Sequence, residues 1–157
     1  GGKLAAAMLL GLDGVVQHHH IKASAAGIHE ETVVHGAGVH RAGRMGQDEV
    51  QRAAPVLGDT DSFDEIIAVL RIIPENVSFD EMAIGRLIVK KPYRGRGLSK
   101  MMMEKAIEFI TSDLGKDRIR LSGQAYLTDF YIGLGFRKVS DEYLEDGMKH
   151  FEFLYEA

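Results

Sequence analysis

The chain has 157 residues, no cysteine and a formal net charge of −4 at pH 7. This length predicts a single domain over residues 1–157 with a substantial hydrophobic core. The lack of cysteine excludes disulfides, cysteine metal ligands and a thiol nucleophile, and the acidic balance argues against general nucleic-acid binding. The longest apolar run, Ala5 to Leu10, is too short to span a bilayer and no signal-peptide cleavage pattern follows it. We therefore expect a cytoplasmic protein without a membrane anchor, whose opening Gly1-Gly2 is typical of a cloning remnant.

Residues 1–52 carry the weakest structural signal in the chain. They hold six of the seven histidines and no aromatic side chain, since the first is Phe63. No stretch keeps the period of a helix or a strand, although residues 49–54 fit a helix turn. Three successive side chains in regular structure cannot converge on one metal ion. We therefore interpret His18-His19-His20 as a solvated loop or a cloning remnant.

Two interpretations of residues 1–52 stay open. The segment is either genuine and divergent, or it is the product of a shifted reading frame. The second interpretation rests on the abundance of Gly, Ala, Val, His and Arg and on Met45-Gly46, whose codons encode Trp when shifted by one base. In that case the backbone should still form a strand and helices, with small or polar side chains facing the core.

From residue 55 onward the predicted elements are clearer. Residues enriched in Val and Ile, bounded by turn residues or Pro, predict strands, and apolar positions 98, 101, 102, 106, 109 and 110 predict one face of a helix ended at Gly115. In chain order we predict strands at 55–57, 65–73 and 83–89, a helix from 98 to 110, a strand at 119–122, a helix at 124–134, and strands at 136–139 and 151–155. This order predicts an α/β (α+β) fold with a mixed sheet flanked by helices.

A glycine-rich loop, Arg94-Gly95-Arg96-Gly97-Leu98-Ser99, joins the strand at 83–89 to the following helix. Such a loop directs unpaired backbone N–H groups and the positive end of a helix dipole toward one point, which suits a phosphate. A Walker loop is excluded because no Gly-Lys-Ser/Thr occurs, and the dinucleotide fingerprint is excluded because Lys100 occupies its third glycine position. An ordinary strand-to-helix turn is the alternative.

The loop resembles the Arg/Gln-x-x-Gly-x-Gly/Ala motif of the GNAT superfamily of N-acetyltransferases, where it binds the pyrophosphate of acetyl-coenzyme A. Ser99 stands where the family usually has Gly or Ala. The resemblance implies that this loop binds the coenzyme through Arg94, Gly95, Arg96, Gly97, Leu98, Ser99 and Lys100. It also accounts for the basic run from Lys90 to Lys100.

A second match lies in Asp129 to Phe136, which resembles the GNAT helix with a Phe-Tyr pair closing on Gly-Phe. The resemblance implies that the Tyr131 hydroxyl faces the coenzyme sulfur and that Phe130 contributes to the coenzyme site. A phenol can give a proton to a departing thiolate. The alternative for Tyr131 is a core aromatic side chain.

Three further stretches, residues 84–89, 122–125 and 142–150, resemble the ElaA-type branch of GNAT, so the likeness covers roughly residues 63–155. It implies that the backbone of Leu87, Ile88 and Val89 pairs with the pantetheine arm as an added strand. It also implies a coenzyme contact for Gln124, where family members often carry Asn. Residues 1–52 do not match the opening strand and two helices of the family.

The catalytic base has several candidates. GNAT enzymes often use a Glu on or near the central strand, where this chain offers Glu81. His150 has the type of side chain that titrates near neutral pH, and Glu142 is a further catalytic candidate. Glu145 is expected to attract a cationic amine. Arg86, on an otherwise apolar strand, is expected to pair with a carboxylate near the substrate.

Together these residues predict an acetyl-coenzyme A-dependent N-acetyltransferase that acts on a primary amine of a small molecule or peptide. Transfer is expected to be direct, in a ternary complex, since the chain has no cysteine for a thioester intermediate. We expect no metal and no nucleic-acid partner. The sequence leaves open whether the chain forms a homodimer. The alternative is a non-catalytic module that binds an acyl-coenzyme A as a sensor or interaction domain.

Overall fold

The computed structural model describes the backbone of residues 4–12, 15–24 and 27–39 and residues 65–157, with side chains from Ile67 onward. The helix turn predicted at 49–54 and the strand predicted at 55–57 lie outside this part. The strands are β1 (Leu4–Leu12), β2 (Val15–Ser24), β3 (Gly27–Val39), β4 (Glu65–Ile73), β5 (Met82–Val89), β6 (Arg118–Gln124), β7 (Arg137–Lys138), β8 (Tyr143–Glu145) and β9 (Met148–Glu156). The α-helices are α1 (Leu98–Glu108) and α2 (Thr128–Gly133).

The chain divides into two compact units, of which the first comprises residues 1–72 and 86–102. Its strands follow the order β3-β2-β1-β4-β5. β1 pairs antiparallel with β2 and parallel with β4, and the backbone N–H of Lys90, just after β5, donates to the carbonyl of Ile67 in β4 at 2.9 Å. These pairings place the end of β5, and the start of the loop that follows it, beside β4, which is itself paired with β1.

The first 39 residues contain more regular structure than their side-chain pattern indicates. Residues 18–20 lie within β2, paired with both β1 and β3, so the prediction of a solvated loop for the three histidines is wrong. Residues 4–12, 15–24 and 27–39 form three strands, so the helices that the frame-shift interpretation expects do not occur in these described residues. Strand pairing is made by backbone groups, which explains how strands occur without a hydrophobic period.

The second unit comprises residues 73–85 and 103–157. Its strands follow the order β5-β6-β9-β7, and β8 pairs with β9. Along β6 the odd-numbered residues Ile119, Leu121 and Gly123 are buried, which is the period-two pattern of a strand with one covered face. β6 runs antiparallel to β9 over seven residue pairs, and Phe153 of β9 is fully buried.

The predicted α+β architecture with a mixed sheet is therefore confirmed. The helix predicted to end near residue 110 widens into a π-turn at Phe109–Asp113 before Gly115, whose φ of +65° ends it. The helix predicted at 124–134 consists of a 3₁₀ turn, Ala125–Leu127, followed by α2. No helix in the described part is long and apolar enough to cross a bilayer. A single domain over residues 1–157 stays a prediction.

Candidate active site

The glycine-rich loop of the first unit has a backbone shape that few residues other than glycine adopt. Gly95 and Gly97 have φ values of +73° and +78°, where a side chain is strained. The buried side chain of Leu98 fixes the start of α1, and the first helical turn closes with the Met101 N–H donating to the Gly97 carbonyl at 3.1 Å. The N–H groups of residues 98–100 therefore have no acceptor within the helix and can bind an anion.

Positive charge surrounds this loop without acidic residues nearby in sequence. No Asp or Glu occurs between Glu81 and Glu104. The Nε of Arg94 donates to the Val89 carbonyl at 2.9 Å, which orients the guanidinium and leaves its two terminal nitrogens for another acceptor. The guanidinium of Arg96 lies 5.5 Å from the ring centroid of Tyr93. Both arginines are exposed, so the loop presents oriented cations to solvent.

Arg86 has no carboxylate partner among the residues that the structure describes. The residue adopts φ +53° and is exposed, and no ion pair joins it to another described side chain. A left-handed residue within a strand turns its side chain out of the regular alternation, so the charge of Arg86 reaches water. The described residues thus supply no carboxylate for Arg86, and a carboxylate near the substrate stays a prediction.

β5 pairs with β6 through two residue pairs only, Met82↔Ile119 and Ala83↔Arg120. The later residues of β5, which include Leu87, Ile88 and Val89, are therefore not paired with β6. A strand edge that is not paired with the next strand is what an extended ligand requires if it is to add as a strand.

Tyr131, in the second unit, is an enclosed phenol. It is 8% exposed, with ring centroids of Phe130, Phe136 and Phe153 at 5.3, 6.3 and 4.9 Å. Burial, and secondly the nearby Tyr126, raises the pKa of Tyr131 above its ordinary value of 10.0. The hydroxyl is therefore protonated at neutral pH. It makes no hydrogen bond to any residue whose side chain the structure describes, so Tyr131 is a core aromatic that retains an unused proton donor.

Four residues at the β8–β9 hairpin and on β6 form a second group, which we call the hairpin cluster: Ser122, Tyr143, Glu145 and His150. The Oγ of Ser122 donates to Oε2 of Glu145 at 2.9 Å and is hydrogen-bonded to the Tyr143 hydroxyl. A carboxylate can only accept, so Ser122 uses its single proton on Glu145 and accepts from Tyr143. The Tyr143 ring stacks on His150, with centroids 6.0 Å apart.

His150 has its tautomer fixed by the backbone. Its Nδ1 lies 2.8 Å from the carbonyl oxygen of Met148. Since a carbonyl oxygen can only accept, Nδ1 carries the proton and Nε2 keeps its lone pair. Neutral His150 is therefore arranged as a proton acceptor at Nε2.

The other predicted site residues of the second unit are arranged differently. Nε2 of Gln124 lies 3.4 Å from the Met148 sulfur, at the edge of the hairpin cluster. Glu142 is exposed and pairs with Lys149 at 3.1 Å, outside the cluster. No three His, Asp or Glu side chains gather as metal ligands among those described.

Strand register separates Tyr131 from the hairpin cluster. Gly123 pairs with Phe151, whereas Ser122 pairs with Glu152 and Gln124 with His150. Successive side chains of a strand point to opposite faces, and Tyr131 lies against Gly123 and Phe153. Tyr131 is thus on one face of β6 and β9, while Ser122, Gln124 and His150 are on the other.

Glu81 is held in an ion pair that makes it a poor base. Both of its oxygens accept from Arg120, at 2.9 and 3.0 Å, and Arg118 lies 3.3 Å away. Glu81 is 9% exposed, and the hydrogen bond from Arg120 is the main cause that lowers its pKa below the ordinary 4.5. Arg120 also binds Glu152 at 2.9 Å. This network stabilises β6, and it argues against the central-strand Glu as the base.

Sequence comparison identifies relatives of the chain. The profile described as "Acetyltransferase (GNAT) domain" matches residues 45–156. Protein ElaA of Escherichia coli (strain K12) is 34% identical over 87 residues, which are 55% of this chain and 57% of ElaA. A UPF0039 protein of Schizosaccharomyces pombe is 34% identical over 93 residues, 59% of this chain and 61% of that protein. The chain thus matches somewhat more than half of the length of these curated relatives.

Solved structures share the same fold. The crystal structure of Escherichia coli ElaA superposes with a TM-score of 0.55 and 26% identity, over 68% of this chain and 86% of ElaA. An acyl-CoA N-acyltransferase from Pseudomonas aeruginosa superposes with a TM-score of 0.56 and 21% identity, over 89% of this chain and 68% of that chain; this likeness shows the fold alone. The GNAT fold and the ElaA-like branch predicted from the sequence are confirmed. Since the family profile covers more than half of its residues, the chain belongs to the GNAT acetyltransferase family.

Proposed function

We propose that the protein transfers an acetyl group from acetyl-coenzyme A to a primary amine of a small molecule or peptide. The observation that carries the proposal is the protonated, buried Tyr131 hydroxyl on α2, where the GNAT resemblance implies the coenzyme sulfur. A buried hydroxyl without a described partner is costly, and a ligand sulfur would supply the missing acceptor.

The coenzyme pyrophosphate is bound by the glycine-rich loop of the first unit. The N–H groups of residues 98–100 donate to phosphate oxygens, and Gly95 and Gly97 leave open space where side chains would stand. Arg94 contributes its two terminal nitrogens, while Arg96, Lys100 and the Ser99 hydroxyl add donors. The backbone of Leu87, Ile88 and Val89, which is not paired with β6, binds the pantetheine arm.

The amine is bound and deprotonated on the hairpin face of the second unit. Its ammonium form is attracted by Glu145, whose carboxylate has a neutral partner, Ser122, and no cationic partner among the described residues. His150 accepts the proton at Nε2, since Nδ1 is engaged with a carbonyl. Glu142 adds negative charge nearby, although its pairing with Lys149 reduces this effect.

The reaction then requires two proton transfers at different atoms. The neutral amine nitrogen attacks the thioester carbonyl carbon, a C–N bond forms and the C–S bond breaks. The thiolate takes a proton from Tyr131. His150, after releasing to solvent the proton it took from the ammonium, accepts the second proton that the nitrogen loses, and solvent returns this proton to the Tyr131 phenolate, so the products are an amide and coenzyme A. Because Tyr131 and His150 lie on opposite faces of β6 and β9, the proposal requires the thioester carbonyl to lie where both groups can reach it.

The test is thiol release from acetyl-coenzyme A in the presence of a panel of primary amines: 1,4-diaminobutane, phenethylamine and trialanine. The proposal predicts amine-dependent release that is lost in Tyr131→Phe. Coenzyme A binding without release for any amine would favour the alternative sensor or interaction module.

A further inference from the structure

We infer that Ser122 and Gly123, adjacent residues of β6, each position a different reacting side chain, one that serves the thiol and one that serves the amine. Gly123 seats the hydroxyl of Tyr131 for the thiol, and Ser122 orients the carboxylate of Glu145 for the amine. The inference rests on the proposed function. It adds two positioning residues, which touch neither substrate, and assigns each of them to one substrate.

The argument for Gly123 is steric. A Cβ built on Gly123 would lie 2.4 Å from Cε2 of Tyr131, 3.0 Å from its Cδ2 and 3.1 Å from Cε2 of Phe153. Ordinary contact begins near 3.4 Å, so the Tyr131 ring would have to retreat by about 1 Å. Displacements of about 1 Å can cost about 10²-fold in rate when they misalign a reacting group. Glycine at this position therefore leaves the space that the Tyr131 ring occupies, and any side chain there would displace the ring and its hydroxyl.

The argument for Ser122 is electrostatic. Elsewhere on this face carboxylates have cationic partners, as in the pairs Glu81–Arg120 and Glu152–Arg120. Glu145 differs, because its described hydrogen bond comes from a neutral hydroxyl. The Tyr143 hydroxyl, donating to Ser122, fixes the direction of the Ser122 proton. The carboxylate is thus oriented and keeps its full negative charge, which complements a cationic amine.

Because the two residues are neighbours in one strand and face opposite ways, each variant is a control for the other. Gly123→Ala should lower kcat toward the value of Tyr131→Phe and leave the KM of the amine unchanged. Ser122→Ala should raise the KM of the amine about two- to tenfold, the worth of one hydrogen bond, and leave kcat and the KM of acetyl-coenzyme A unchanged. Gly133→Ala and Ser112→Ala are matched controls, since Gly133 has open space around an added Cβ and both residues are exposed.

A double-variant comparison separates positioning from general damage. If Gly123 acts through the Tyr131 hydroxyl, adding Gly123→Ala to Tyr131→Phe should change kcat by no more than about twofold, the scatter of uncoupled substitutions. A merely structural role would lower kcat equally in both backgrounds. If Gly123→Ala does not fold, Gly123→Ala with Phe153→Leu has more room, and it is compared with Phe153→Leu alone.

Binding measurements make the inference independent of turnover. Calorimetry should show that Gly123→Ala weakens the binding of coenzyme A about two- to tenfold. The binding of desulfo-coenzyme A, which lacks the sulfur, should hardly change. Calorimetry of phenethylamine with the coenzyme A complex should show weaker binding in Ser122→Ala only. The inference is overturned if both variants alter the same parameter, or if each behaves like its matched control. Failure of the proposed function looks different, since the unaltered protein would then bind coenzyme A and desulfo-coenzyme A equally and Tyr131→Phe would change nothing.

Discussion

The substitution Tyr131→Phe tests whether the Tyr131 hydroxyl gives a proton to the leaving thiolate, and it changes the structure little. The ring and its contacts with Phe130, Phe136 and Phe153 stay in place, and only the hydroxyl is lost. General acid catalysis contributes about 10²- to 10⁴-fold. We expect the lower end, a fall in kcat of roughly 10²-fold or about 2.7 kcal/mol, because burial raises the pKa of Tyr131 and makes it a weaker acid.

The free energy of unfolding of Tyr131→Phe should not fall together with its kcat. The lost hydroxyl has no hydrogen bond to a described residue, so the free energy of unfolding should stay constant or rise by up to about 1 kcal/mol. The assay is thiol release at saturating substrates, with thermal unfolding measured on the same samples. Tyr126→Phe is the matched control, since Tyr126 is 74% exposed on the same segment. Full kcat in Tyr131→Phe, equal to that of the control, would refute the role of the hydroxyl.

Three further substitutions test other parts of the account. Arg94→Ala should weaken coenzyme A binding tenfold or more, since a charge-assisted contact is worth roughly 1.5–3 kcal/mol; unchanged affinity by calorimetry would remove Arg94 from the site. His150→Asn should lower kcat roughly 10²-fold at neutral pH. Thiol release at the unaltered rate would show that another residue is the general base. Glu81→Gln should cost roughly 3 kcal/mol of unfolding free energy at pH 7, where it breaks a buried pair. Because the folded pKa of Glu81 is lowered, this difference should be complete above about pH 4.5 and disappear as pH falls through the folded value, which denaturant unfolding at several pH values would check.

The sequence predicted the elements whose signals are local. Alternation along β6 is written in its residues, and the buried positions of α1 recur at helical spacing. The loop glycines were visible for the same reason, since the tolerance of positive φ that Gly95 and Gly97 use is a property of glycine itself.

Features that depend on strand pairing could not be predicted. Ser122 and Gly123 were visible only as part of a family motif, because the contacts that define them come from α2 and from β8. A signal did exist for Gly123, since a glycine inside a strand often marks a close approach. The strands in residues 4–39 and the exposed Arg86 were missed because the side-chain pattern records neither backbone pairing nor a left-handed residue within a strand.

The central claim is that the acetyl group moves from acetyl-coenzyme A to an amine nitrogen on this protein. Acetyl-coenzyme A labelled with ¹³C at the acetyl carbonyl, incubated with the protein and the three amines, allows the label to be followed by NMR. The account predicts that the thioester signal is replaced by an amide signal in the amine, and that Tyr131→Phe slows this change while Tyr126→Phe does not. A label that stays in the thioester with every amine, although coenzyme A binds, would contradict it.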